Sequence, residues 1–122
     1  MSPDDALALI ISEADADNGL LGSLRNGEDP GAERMRRLIS ALGVVFRSLA
    51  GQVQIDRNLA AALFTLGSDV PLTISSLASK GRNWRRGFME VEVYELLMGV
   101  QSIFEDRWFE PEPEPEPPET VH

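Results

Sequence analysis

Cysteine is absent from this chain, and its single histidine is the last of 122 residues, His122. Thiolate nucleophiles, thiolate zinc sites and imidazole proton relays are excluded in practice by those two facts. No apolar run approaches the ~18 residues needed to cross a bilayer. Ala6 to Ile11 is short and is flanked by Asp4, Asp5 and Glu13. The first residues carry no basic n-region of a secretory signal. These absences set the expectation of a cytoplasmic protein with no membrane contact and no cofactor, and the lack of disulfides agrees with that compartment.

What is present describes one domain, since 122 residues with 43% hydrophobic content bury a modest core. Charge is unevenly spread: Glu110, Glu112, Glu114, Glu116 and Glu119 give residues 110–122 more than half of the net charge of -9, and no Lys or Arg offsets them there. The body is nearly balanced. A globally acidic protein is repelled by nucleic acid at long range and attracted to basic partners.

Helix signals dominate. Ser2-Pro3-Asp4-Asp5 reads as cap, first helical residue and dipole-matched first turn, followed by Leu7, Ile10, Ile11 and Ala14 on one face. Asp17-Asn18-Gly19 ends or bends that helix, and Leu20, Leu21 and Leu24 form a short further turn before Asn26-Gly27. With Asp29 as cap and Pro30 inside, Met35, Leu38, Ile39, Leu42, Val45, Phe46 and Leu49 make an apolar stripe over roughly 30–50. Arg36, Ser40, Gly43 and Arg47 lie opposite it. A third helix is expected from the Asp56 cap through Leu59, Leu63 and Leu66 to a left-handed stop at Gly67. A fourth, short one runs from Pro71 or Leu72 to Ser79, ending at Lys80-Gly81.

Glu90-Val91-Glu92-Val93 alternates like a strand, but the wider window decides otherwise. Val93, Leu97, Val100, Phe104 and Trp108 recur at helical steps, with Glu92, Glu95, Gly99, Ser102 and Asp106 on another face, so residues 84–108 read as the last helix. The fold class is therefore all-α, a compact bundle of four to five helices over 1–109. Residues 110–122 form a disordered acidic Pro/Glu tail, since alternating Glu and Pro buries no apolar area and favours polyproline II. Such a tail is either solvated or an acidic arm captured by a basic surface.

Motifs for chemistry fail one by one. Asp15-Ala16-Asp17-Asn18-Gly19 lacks the glycine and glutamate positions of a calcium loop, and Gly19-Leu20-Leu21-Gly22 lacks the lysine of a phosphate loop. Glu90, Glu92, Glu95, Glu105 and Asp106 have no histidine with which to build a helical di-metal site, so they read as a solvated face and no metal site is assigned. Ser68, Ser75, Ser76 and Ser79 have no base to activate them, and no catalytic residue is assigned.

Lys80-Gly81-Arg82-Asn83-Trp84-Arg85-Arg86 is the candidate binding segment. Arg82, Arg85 and Arg86 at a helix start oppose the dipole, yet with free amides and a stackable Trp84 they suit an anion or an acidic partner. The plainer reading pairs Arg86 with Glu90 and puts Trp84 in the core. Glu105, Asp106 and the tail oppose the dipole at the other end, so an antiparallel homodimer or partner helix would relieve both ends. A helix-turn-helix centred on Gly67 is disfavoured, because Leu72 to Ser79 offers no Arg, Asn or Gln for base edges. Nucleic acid is thus a disfavoured partner. The expectation is a non-enzymatic module that binds a protein, as adaptor, inhibitor, immunity-type antagonist or assembly subunit. Phe88, Trp108 and Phe109 would be its anchors and Glu105 and Asp106 its charged contacts; the alternative is an anionic-ligand or nucleic-acid binder at Lys80 to Arg86.

Overall fold

Ser2 caps the first helix as its sequence asks, its hydroxyl accepting the Asp5 N–H at 3.1 Å, and α1 runs Pro3–Glu13. The computed structural model describes residues 1–109; the expected disorder of 110–122 lies outside the described residues. Asp15 closes the next turn, its Oδ1 accepting the N–H groups of Asp17 and Asn18 at 2.9 Å each. Those two bonds hold its carboxyl below the usual range, that of Asn18 first. Gly19 then passes so close to α1 that a Cβ would stand 2.5 Å from the carbonyl oxygens of Ser12 and Glu13. α2 is Leu20–Arg25, and left-handed Gly27 ends it as the Asn26-Gly27 pair predicts.

α3 spans Ala32–Leu49, two residues later than the Asp29-Pro30 signal suggests. Asp29 is spent on the Gly31 N–H at 2.8 Å and on a distant arginine, and Gly31 at φ 87 takes the cap position. The predicted stripe turns inward: Met35, Leu38, Leu42 and Val45 are buried, and Ile39, Phe46 and Leu49 pack beside them. In α1 the inward line is Ala6, Ile10 and Glu13, which leaves Ile11 exposed rather than on the core face.

The predicted stop at Gly67 does not exist. One helix, α4, runs Arg57–Ser79, capped by Asp56, whose Oδ2 accepts the Leu59 N–H at 3.1 Å. Its middle turn, Thr65–Asp69, is π-helical, with Val70 N–H bonded to the Thr65 carbonyl. Pro71 explains the wide turn, since its ring lacks a donor and crowds the carbonyl four residues back, that of Gly67. The extra residue also keeps one line inward. Leu59, Leu63, Leu66, Val70 and Ile74 are all buried, at steps averaging more than the ~3.6 residues of an α-turn. Gly67 is small for packing: a Cβ there would stand 3.2 Å from Val100 Cγ1. The helix-turn-helix outline disappears with the turn. By length and composition α4 qualifies to cross a membrane, contrary to the sequence reading, while its buried line belongs to the shared core.

The last helix begins at Phe88, not Trp84, after left-handed Gly87 at φ 86. A π-turn, Phe88–Val93, leads into Tyr94–Glu105, and together they form α5. Its buried line is Val93, Leu96, Val100 and Ile103, with Gly99 and Ser102, so the predicted stripe was rotated: Phe104 is exposed and Leu97 half-buried. Gly67 against Val100 and Ile74 beside Trp84 make α5 antiparallel to α4. Gly99 against Leu42 and Asp106 bonded to the Gly51 N–H at 3.0 Å make it parallel to α3. The five helices form a compact all-α bundle, with no strand among the described residues.

One ion pair enters that core. Arg34 grips Glu13 with Nε–H and Nη2–H at 2.8 and 2.7 Å, and its Nη1–H reaches Ser23 Oγ at 3.1 Å, joining α1, α2 and α3. The bond to Glu13 is the main reason that the Arg34 pKa is raised. Arg34→Ala strands a buried carboxylate, so chemical denaturation should show a loss of about 3 kcal/mol, most of it recovered in Glu13→Leu/Arg34→Leu. Equal losses in the single and double variants would show that the pair does not carry this effect.

Candidate functional site

The Lys80 to Arg86 segment is a connection between α4 and α5, not a helix start. Gly81 at φ 97 closes α4, with Arg82 N–H bonded to the Leu77 carbonyl at 2.9 Å. The Arg82 side chain donates to the Gly27 carbonyl at 2.9 Å and to that of Asn83, and it lies 4.4 Å over the Trp84 ring. Trp84 is half-buried, donates to the Ile74 carbonyl at 3.4 Å and packs on Phe88 at 5.3 Å between centroids. Arg85 bridges two carboxylates, Asp29 at 3.1 and 3.3 Å and Glu92 at 2.5 and 2.8 Å.

Those contacts engage Arg82 and Arg85, two of the candidate segment's three arginines. Arg82 and Arg85 strap the connection to the loop before α3, which leaves Lys80 and Arg86 without an ion pair among the described residues; the expected Arg86–Glu90 pair is not formed. The dipole objection falls as well, because Asp29 and Glu92 neutralise Arg85 beside the start of α5. The anchors are redistributed too. Phe88 is fully buried and so cannot meet a partner, whereas Trp108 and Phe109 are half-buried against each other at 5.1 Å between centroids. Asp106, left-handed at φ 55, is held by Gly51, and Glu105 accepts from Gln101 at 2.8 Å.

Two surfaces that the sequence did not single out are formed instead. The first is a groove of about 670 Å³ between α3 and α5. Arg36, Ser40, Gly43 and Arg47 line one wall, Val91, Glu92 and Glu95 the other, and Trp108 lies at its end. The signal was the polar stripe of α3, whose Gly43 is buried under Trp108 rather than solvated. The second is the outer side of α4 and α5. Phe64, Leu72, Tyr94 and Phe104 keep 68, 66, 53 and 51% of their surface exposed. With Gly67 against Val100, antiparallel helical geometry sets Phe64 and Phe104 side by side one turn on, with Leu97 and Tyr94 continuing the row. Phe64 and Tyr94 fall off the inward stripes, which is the trace they leave in the sequence. Among the described residues no three carboxylates or imidazoles converge to hold a metal ion.

Comparison with known proteins finds no family model, no curated protein and no solved structure that matches this chain.

Partial burial pushes the Asp29 carboxyl up, but the bonds from Arg85 and the Gly31 N–H, with the charges of Arg85 and Arg82, outweigh it and hold the group below its ordinary value. A depressed carboxyl stabilises the fold above its unfolded pKa and loses that contribution as pH falls through the folded one. The wild type should therefore exceed Asp29→Asn by about 0.5–1 kcal/mol near pH 7, an exposed-pair magnitude, and the gap should close as pH falls below the ordinary carboxylate range. Urea titration across pH measures it; a gap that widens in acid would reverse the assignment. Arg85→Ala should lower the melting temperature, and Arg86→Ala should leave it unchanged.

Proposed function

We propose that this protein is a non-catalytic helical module that binds another protein on the outer side of α4 and α5. The observation that carries this reading is the row of Phe64, Leu72, Tyr94 and Phe104, four large apolar side chains each more than half exposed. Large contiguous apolar surface is unusual on a chain with enough interior to bury it, and aromatic anchors of this kind supply most of the energy of protein interfaces. Glu90 lies one turn before Tyr94 and Glu105 beside Phe104, both exposed, so the row has acidic ends. A partner with an apolar centre and basic rim fits, in keeping with the net charge of -9.

Adaptor, inhibitor and assembly roles all use such a surface. The anchors differ from those expected from sequence because core membership, not hydrophobicity, decides which aromatic is available. Phe64→Ser/Phe104→Ser should reduce retention of the cognate partner at least tenfold in affinity capture quantified by mass spectrometry, since each anchor is worth about 2 kcal/mol. Its melting temperature should match the wild type, because neither ring is in the core. Unchanged retention by a folded double variant would move the interface elsewhere.

A further inference from the structure

We propose that the acidic arm, residues 110–118, docks in cis along the α3–α5 groove, its glutamates pairing with Arg47 and then Arg36. Four observations place it there. The chain reverses direction as it leaves α5. After left-handed Asp106, the Arg107 N–H bonds the Ser102 carbonyl at 3.1 Å and the Phe109 N–H bonds Ser102 Oγ at 2.9 Å. The segment thus heads back along α5, toward Glu95 and Val91, rather than away from the body.

It emerges beside a cation. A Cβ on Gly43 would have Arg47 Nη1 at 3.4 Å and the Trp108 ring at 3.6 Å, so the guanidinium and the indole share one spot at the mouth of the groove. Arg36 lies on the same wall, eleven residues earlier on α3, or about 16 Å along the axis. Both arginines are exposed and form no ion pair among the described residues.

The arm matches that spacing. Glu110, Glu112, Glu114 and Glu116 alternate with prolines. At the ~3.1 Å rise of polyproline II, same-sign charges recur every ~6 Å, and six residues cover about 19 Å. Glu110 and Glu116, two polyproline II turns apart and so on one face, meet Arg47 and Arg36 respectively. On the opposite wall Glu92 is hydrogen-bonded to Arg85, which it shares with Asp29, and Glu95 is the other carboxylate, so Arg36 and Arg47 are the groove's unpaired cations among the described residues. The arm's other basic candidate, the Lys80 to Arg86 segment, has Arg82 and Arg85 already engaged.

The absence of cysteine makes the test direct. A nitroxide on Thr120→Cys in the full chain should attenuate the amide signals of Ala32 and Val91 at least twofold relative to the reduced label, while Leu72 on the opposite side is spared. Arg36→Ala/Arg47→Ala should abolish the effect, as should Glu112→Gln/Glu114→Gln/Glu116→Gln, which alters only the arm and leaves the bundle intact. Attenuation equal at Ala32, Val91 and Leu72 would overturn the proposal, and so would attenuation that survives both sets of substitutions. Attenuation that passes from labelled chains to unlabelled, isotope-enriched chains in a mixture would assign the groove to a second copy and overturn docking in cis.

Discussion

The bundle depends on how closely α5 approaches its two neighbours, and glycine sets that distance on both sides. Against α3, a Cβ on Gly99 would come 3.1 Å from Leu42 Cδ1 and 3.5 Å from the Trp108 ring. Against α4, Gly67 gives Val100 its space. A Cβ at either place would require Leu42 or Val100 to give by a few tenths of an ångström, and overpacking a core typically costs about 1–3 kcal/mol. Because α5 sits so close to α3, Trp108 can fold over the seam onto Gly43 and stack near Phe46, at 5.4 Å between centroids. The same closeness lets Asp106 reach Gly51 and turns the chain back on itself. The groove, its tryptophan end and the turn at Asp106 all follow from that one spacing.

Local physics was legible in the sequence, and non-local physics was not. Ser2, Asp56, Gly27 and Gly81 act at the helix ends that their residue types announce, because a cap involves groups only a few residues apart. The α3 stripe turned inward for a similar reason, since seven apolar residues at helical spacing leave one orientation to choose. Gly67 shows the limit. A glycine marks either a left-handed stop or a close approach, and only the position of Val100 in space separates them. Asp29 shows it again: the sequence offers a cap, but a carboxylate able to meet an arginine 56 residues away takes that partner. The α5 stripe was misread because two partners, α3 and α4, widen the buried arc, so several apolar lines fit the spacing equally well.

Charge in this protein is arranged by tertiary neighbours rather than by helix dipoles. Arg85 next to the start of α5 opposes the dipole if considered alone. Asp29 from the loop before α3 and Glu92 from the first turn of α5 enclose it, and their hydrogen bonds raise its pKa, that of Glu92 first. Arg85 is thereby a strap that fixes the connection between α4 and α5 to the loop before α3. With that strap satisfied, the cations beside the start of α5 that form no ion pair among the described residues are Lys80 and Arg86, and on the groove side of α3 they are Arg36 and Arg47.

α5 consequently has different neighbours around its circumference. Its inner arc holds Val93, Leu96, Val100 and Ile103; one flank, with Glu95 and Gly99, borders the groove; the other, with Tyr94, Leu97 and Phe104, faces outward. Natural chains match local pattern to global fold, and departures from that match concentrate at functional places. The inner arc shows no departure. The groove flank sets Glu95 and Gly99 across from the arginines of α3, with Trp108 at the end. The outward flank carries apolar side chains that core packing does not require, and helix propensity gives no reason for aromatics there, since Phe and Tyr form helices less well than Leu or Ala. Packing and propensity both leave Phe64, Tyr94 and Phe104 unaccounted for, and that sets the outward flank apart from the inner arc.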